Sequence, residues 1–279
     1  MNNINYIKNI NSRFLKITGE DRKSFLQALI TNDINACKYN NSIYSCLLSP
    51  QGKFLADFFI TNIDNYFLIE INDNLYEDFV NKLKIYKLRS KVEIIEINFL
   101  FSYVIFVNEI PKIKNFVALF EDPRNKKIGF KVYFENKQNE QTSLIDFNQI
   151  GEDYYEELLI KNLIPNSVND LIKNKSLLLE NNFQNLNAID WDKGCYVGQE
   201  ITARMQYRAL LKKKLYNLEL VSGEIKVGNE IFFDNLKIGE VVSKKNNYIL
   251  CMFRINLADE LKNKKENFKI NLNVILKFL

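Results

Sequence analysis

The chain has 279 residues, of which 47% are apolar and 26% charged, and a net charge of +4, the balance of an ordinary globular protein with room for one large domain or two to three small ones. It contains no histidine, which excludes a Ser-His-Asp triad, a Cys-His dyad, a histidine metal ligand and an imidazole base. The charge falls short of the basic stripe of a dedicated nucleic-acid binder, and no stretch approaches the roughly 18 consecutive apolar residues of a membrane-crossing helix.

Taken in chain order, Thr18-Gly19-Glu20-Asp21 predicts a helix start with Thr18 as cap, followed by Phe25, Leu26, Leu29 and Ile30 on one face and closed by Thr31-Asn32-Asp33. Ile43 to Leu48 and Lys53 to Thr61 read as paired strands across Ser49-Pro50-Gln51-Gly52, which fits a type I turn. Asn62 to Asn65 turns the chain into a strand from Tyr66 to Ile71, and Tyr76, Phe79, Val80 and Leu83 then fall at helical spacing. Val92 to Ile97, Phe101 to Val107 and Ile128 to Phe134 are further strands. A helix is expected from Glu152 to Asn162, ending before Pro165, with others around Ser176 to Phe183 and Gln199 to Leu210. From Leu215 onward short strands recur at Leu215 to Leu220, Glu230 to Phe233, Ile238 to Val242, Tyr248 to Phe253 and Val274 to Phe278, the pattern of a small barrel. The mixture predicts an α+β fold built on antiparallel sheets, with two α+β subdomains in 1–210 and a C-terminal β-barrel in 211–279.

The four cysteines, Cys37, Cys46, Cys195 and Cys251, are far apart and form no C-x-x-C pair, so neither a disulfide framework nor a zinc ribbon is expected, and no resident metal. Cys46 and Cys251 lie in apolar strands and Cys37 follows a helix exit, contexts that bury a thiol and keep it inert. The leader Met1-Asn2-Asn3-Ile4-Asn5 lacks secretion and transit features. We therefore expect a bacterial cytoplasmic protein, with the mitochondrial matrix as the alternative, and no membrane partner.

The most informative segment is Lys193-Gly194-Cys195-Tyr196-Val197-Gly198-Gln199-Glu200, continuing Ile201-Thr202-Ala203-Arg204. It reads as a tight loop opening onto a helix. Gly194 and Gly198 permit unusual backbone angles and close approach, and Cys195 sits near a cation and a helix start, both of which favour a thiolate. Glu200, Arg204 and Arg208 recur every four residues, a spacing that also describes a plain surface ion-pair row. Trp191, four residues before Cys195, suits either core packing or the wall of a ligand pocket.

This octapeptide resembles the K-G-C-Y-x-G-Q-E signature of the YgfZ family, whose mitochondrial members are iron–sulfur cluster assembly factors. Phe25-Leu26-Gln27 with Thr31-Asn32-Asp33, the hairpin Leu47 to Lys53 and the barrel-like C-terminal segment fit the same family. The resemblance implies a fold like the glycine-cleavage T-protein, a tetrahydrofolate pocket, and a role in keeping iron–sulfur enzymes active, including some that modify tRNA, with iron–sulfur proteins or cluster-assembly factors as partners. It implies Cys195 as nucleophile, redox thiol or transient cluster ligand. Lys193, Gly194, Tyr196, Gly198, Gln199, Glu200, Arg204, Asn32 and Trp191 then become the folate-binding candidates. Lys161 and Leu163 stand where acidic and Gly residues are common in the family, Ala209 stands where Gly is common, and Ala56-Asp57 replaces the paired aspartates of the T-protein. Asp57 is thus the remaining acid/base carboxylate for the alternative reading, an aminomethyltransferase or demethylase. A non-catalytic adaptor binding through Lys212 to Lys214 is a third.

Overall fold

The computed structural model describes residues 4–207, 211–233, 235–263, 268–270 and 274–279. In chain order these form β1 (Asn5–Asn9), β2 (Ser12–Thr18), α1 (Arg22–Leu29), β3 (Ser42–Leu48), β4 (Phe54–Ile63), β5 (Tyr66–Asn72), α2 (Asp73–Lys87), β6 (Glu93–Ile97), β7 (Phe101–Phe106), β8 (Ala118–Glu121), β9 (Phe130–Phe134), α3 (Lys137–Ser143) and β10 (Asn148–Gln149). They continue as α4 (Glu152–Lys161), α5 (Gln199–Tyr207), β11 (Lys213–Ser222), β12 (Glu230–Phe233), β13 (Leu236–Lys245), β14 (Tyr248–Arg254), α6 (Ile255–Asn263), β15 (Phe268–Ile270) and β16 (Val274–Phe278). Two compact units result: Met1–Gly151 with Gln184–Gln199, and Glu152–Phe183 with Glu200–Leu279.

The first unit contains two five-stranded sheets, in the orders β3-β4-β5-β2-β6 and β10-β1-β7-β9-β8. All their pairings are antiparallel except the short parallel contact of β1 with β10. β3 is buried along its whole length because both faces of its sheet are covered, which explains a continuous apolar run in place of alternation. Tyr76, Phe79, Val80 and Leu83 of α2 cover one face, with Phe58 and Phe79 ring centroids 4.6 Å apart. The other face meets the second sheet, where Phe14 lies edge-on to Tyr133 at 4.9 Å.

Between these sheets sits a polar core. Lys131 on β9 pairs with Glu70 on β5 at 2.7 Å, both almost fully buried, and Glu70 also accepts from Ser12 Oγ at 2.5 Å, Asn9 Nδ2 at 3.2 Å and Tyr133 Oη at 2.8 Å. Burial alone would raise the Glu70 carboxyl, but Lys131 and the surrounding donors hold it below the ordinary glutamate range.

In the second unit, β12-β13-β14-β11-β16-β15 form one antiparallel sheet. Its edge strands β12 and β15 approach each other, so it is nearly closed. Bulges near Leu220, Ile231 and Val241 give it the curvature that closure needs. Leu218, Ile231, Ile249, Phe253 and Leu276 fill its interior. α4 ends in a tight turn in which Leu163, at φ +55°, occupies the left-handed region and Ile164 N–H reaches back to Leu159 O at 2.9 Å.

Several expectations change. Thr18 is the last residue of β2 and does not cap α1; Asp21 precedes the helix, without a side-chain capping bond. The segment 176–183 holds only a short 3-10 turn, Leu179–Asn181. β1, β2, β8, α3, β10, α6 and β15 add to the expected elements. The expected end of α5, with Arg208, Ala209 and Leu210, lies outside the described residues.

Candidate functional site

The motif segment begins with a clasp. Lys193 Nζ donates to the main-chain carbonyls of Gln27 at 2.9 Å, Ile30 at 2.6 Å and Asn32 at 2.9 Å. These are acceptors at and just beyond the end of α1, where carbonyls lack helical partners and a cation is favoured. Burial lowers the Lys193 ammonium to about 8, opposed by Asp33 and Asp190. The same aspartate, Asp190, accepts the Asp192 and Lys193 amides, and Val197 N–H donates to Ala28 O at 3.1 Å. The loop is thereby fastened along α1 before Cys195 is reached and again after it.

Asn32 belongs to the same fastening. Its side-chain amide donates to Tyr44 O at 2.9 Å and Asn187 O at 2.7 Å, and its own Oδ1 accepts the Asp33 amide. The neighbouring Thr31 Oγ1 donates to Ala188 O at 2.6 Å and accepts the Cys46 amide. The stretch Gln27 to Asp33 and the segment from 187 to 197 are therefore one hydrogen-bonded assembly.

Gly198 docks the far end of the loop. It has φ +82°, and a Cβ there would lie 2.4 Å from Ser49 O and 2.8 Å from the Leu48 Cβ. The contact is with the hairpin turn, itself closed by Gly52 N–H to Ser49 O at 2.8 Å with Gly52 at φ +68°. Gly194 differs, since a Cβ there would meet nothing within 4 Å.

Held between these anchors, Cys195 is exposed, while Cys37, Cys46 and Cys251 are buried. Burial pushes the Cys37 thiol up to about 12 and raises those of Cys46 and Cys251 well above the ordinary value. Tyr196 is half-buried, with Lys193 Nζ 4.9 Å from its ring centroid. Gln199 Oε1 accepts the Tyr196 amide at 3.2 Å, and Trp191 is half-buried. Glu200 and Arg204 form an exposed i,i+4 ion pair on α5.

Asp57 lies on β4 opposite Cys46 of β3. It is half-buried and accepts from Tyr44 Oη at 2.5 Å. Burial, then the Asp57 carboxylate and Cys46, push the Tyr44 phenol far up, with Arg124 opposing. Arg124 stands 5.6 Å from the Tyr44 ring and 4.9 Å from the Phe59 ring, and binds Asp122 through Nε at 3.0 Å and Nη2 at 2.8 Å. Sequence reasoning missed this aromatic and cationic surround, and missed Glu70 with Lys131. A Lys and a Tyr at alternate positions of an otherwise apolar β9 were the available signal. Lys161 Nζ binds Glu157 Oε1 at 2.5 Å and lies 4.0 Å from the centroid of the Tyr248 ring. Among the described residues, no cluster of three or more Cys, Asp or Glu side chains could hold a metal ion.

Two sheets, a six-stranded nearly closed sheet and a clamped loop define a protein with the fold of the glycine-cleavage aminomethyltransferase. The crystal structure of glycine cleavage system aminomethyltransferase T from Bartonella henselae matches 99% of this chain and 85% of its own with a TM-score of 0.77, at 13% identity. In sequence, the chain is similar to the iron–sulfur cluster assembly factor IBA57 homolog, mitochondrial, of Neurospora crassa (30% identical over 224 residues, 73% of this chain and 51% of that protein). It is also similar to the homolog from Dictyostelium discoideum (27% identical, 72% of this chain and 59% of that protein) and to human IBA57, mitochondrial (26% identical, 72% and 62%). The chain thus spans between half and two thirds of the length of these curated relatives. No protein-family model matches it.

Proposed function

We propose that this protein supports the assembly or repair of iron–sulfur enzymes, including those that modify tRNA, and that it does so with a bound reduced folate. The observation that carries the reading is an exposed Cys195 on a loop fastened at Lys193 and Gly198, in a chain similar to iron–sulfur cluster assembly factors over nearly three quarters of its length. A thiol presented on a rigid mount reaches a cluster or a client protein without the ordering cost of a free loop.

The fit to tetrahydrofolate is best at the pterin end. Asp57 offers a carboxylate for an aminopyrimidine edge, and Tyr44, which holds it, is packed on Phe59 with centroids 5.2 Å apart. For the folate's own carboxylates, Lys193, Arg204 and Lys161 are already engaged by carbonyls, Glu200 and Glu157. Bound tetrahydrofolate would supply a carrier for a one-carbon unit; Asp57 and Tyr44 would orient it, and Trp191 and Tyr196 are the aromatic candidates for its walls.

We expect calorimetric titration with tetrahydrofolate to give a micromolar Kd, on the order of −8 kcal/mol, and Asp57→Asn to weaken it about tenfold, the loss of one charged hydrogen bond. Absence of heat up to millimolar ligand would remove folate from the account. A second reading, aminomethyl transfer, is favoured by the fold and makes Asp57 the acid/base group. An aminomethyltransferase assay run beside iron–sulfur enzyme assays in depleted cells separates the two. The compartment is the mitochondrial matrix, as the relatives' names suggest, or the bacterial cytoplasm, and cell fractionation decides between them. Among the described residues no helix is long and apolar enough to cross a membrane.

A further inference from the structure

The second unit contains a cavity of about 200 Å³ between α4, the loop that follows it and β13. Leu159, Ile160, Ile164, Val227 and Val242 make its apolar wall, and Asn166, Asn169, Asp170 and Ser243 its polar one. Its size is close to that of a roughly 150 Å³ cavity that takes benzene and below the roughly 300–1,000 Å³ of pockets for larger ligands. A single ring or a short chain therefore matches it.

Charge narrows the ligand further. The Asp170 side chain is half-buried, accepts the Asn166 amide at 2.8 Å and is hydrogen-bonded by Ser243. The charged group that acts on it is another acid, Glu156 of α4. The two lysines of β13 that line the same cavity are occupied elsewhere: Lys245 Nζ binds Asp153 and Glu156, each at 2.6 Å, and Lys244 Nζ donates to Ile225 O at 3.1 Å. A half-buried carboxylate whose neighbouring acid, Glu156, already holds Lys245, and which lines an apolar chamber, is complementary to a ligand that brings its own cation.

We propose that this cavity binds a small primary amine, with its ammonium on the Asp170 carboxylate and its aliphatic or single-ring body against Leu159, Ile164 and Val242. Burial first, and then Glu156, raise the Asp170 carboxyl to about 7. The carboxylate form that an ammonium requires therefore dominates one unit above that value and is about one tenth populated one unit below it.

The test uses the full chain with benzylamine as probe and benzyl alcohol as its neutral counterpart, by calorimetry and thermal shift at about pH 8 and about pH 6. The expected result is benzylamine binding and a raised Tm at the higher pH, with affinity about tenfold weaker at the lower pH, as the Asp170 value of about 7 requires. Benzyl alcohol should bind more weakly than the amine, and Asp170→Asn should weaken the amine by about tenfold or more. Val242→Phe, which fills the chamber, should abolish binding and keeps the test valid if Asp170→Asn does not fold. No binding at millimolar benzylamine, equal affinity for amine and alcohol, or unchanged amine affinity at the lower pH or in Asp170→Asn would each overturn the proposal.

Discussion

At the scale of single residues, the loop's two glycines make opposite predictions. Gly198 combines φ +82° with a Cβ position 2.4 Å from Ser49 O, whereas Gly194 has open space around it. Gly198→Ala should therefore destabilise the protein by about 2–4 kcal/mol, through strain and loss of the turn contact, while Gly194→Ala should stay within about 0.5 kcal/mol of the parent. Urea unfolding of both variants measures the contrast; equal values would show that the loop does not rest on the hairpin turn. The cysteines give a second residue-scale prediction. Cys195 is exposed, and the other three are at most 4% exposed with raised thiol pKa values. Iodoacetamide should modify the native protein once, at Cys195, because the thiolate is the reacting form and access controls the rate. Peptide mapping that finds Cys37 or Cys46 modified at a comparable rate would contradict the burial described.

At the scale of elements, the two sheets of the first unit are joined by the Glu70–Lys131 pair, 2.7 Å apart and almost fully buried. Lys131→Met leaves the carboxylate without its cation and should cost about 3–5 kcal/mol. Adding Glu70→Gln removes the stranded charge while keeping an acceptor for Tyr133 and Ser12, and should recover much of the loss. Because Glu70 is held below its ordinary range, its contribution is present above the unfolded value of about 4.3 and is lost as pH falls through the lower folded value. Chemical denaturation of the single and double variants from neutral to acid pH tests both points.

The elements that could be read in advance were those with a strong local pattern: the β3–β4 hairpin, α2 with its apolar stripe, α4 stopping before Pro165, and β11, β12, β13, β14 and β16. β1, Asn-Tyr-Ile-Lys-Asn, was hidden because polar residues surround its one fully buried side chain, Ile7. α6 was hidden by its position inside a run of strands. The motif loop was recognisable from its residues, but the task of Lys193 was not. Its three acceptors lie more than 160 residues earlier in the chain, so no local spacing announces them. The same holds for the buried partner of Glu70, which only the stacking of two sheets supplies.

At the scale of the whole molecule, the fold is that of an aminomethyltransferase while the similar curated sequences are iron–sulfur assembly factors. Fold alone does not decide between them, because function resides in the site. Among the described residues, the carboxylate of Asp57 is tied to Tyr44, and the exposed cysteine is Cys195; the proposed function rests on the second of these. Lys193, Gly198 and Asn32 serve to hold that thiol's loop rigid.

Complementation is the most direct measurement of the central claim. Cells lacking their own factor of this kind would receive the wild-type chain, Cys195→Ala or Cys46→Ser, with the activity of an iron–sulfur enzyme as readout and melting temperatures taken in parallel. Wild type and Cys46→Ser should restore activity, Cys46→Ser with a lowered Tm, and Cys195→Ala should fail although its stability falls by only about 1 kcal/mol or less. Full restoration by Cys195→Ala would show that the loop acts without its thiol, and no restoration by wild type would contradict the assignment to iron–sulfur enzyme maintenance.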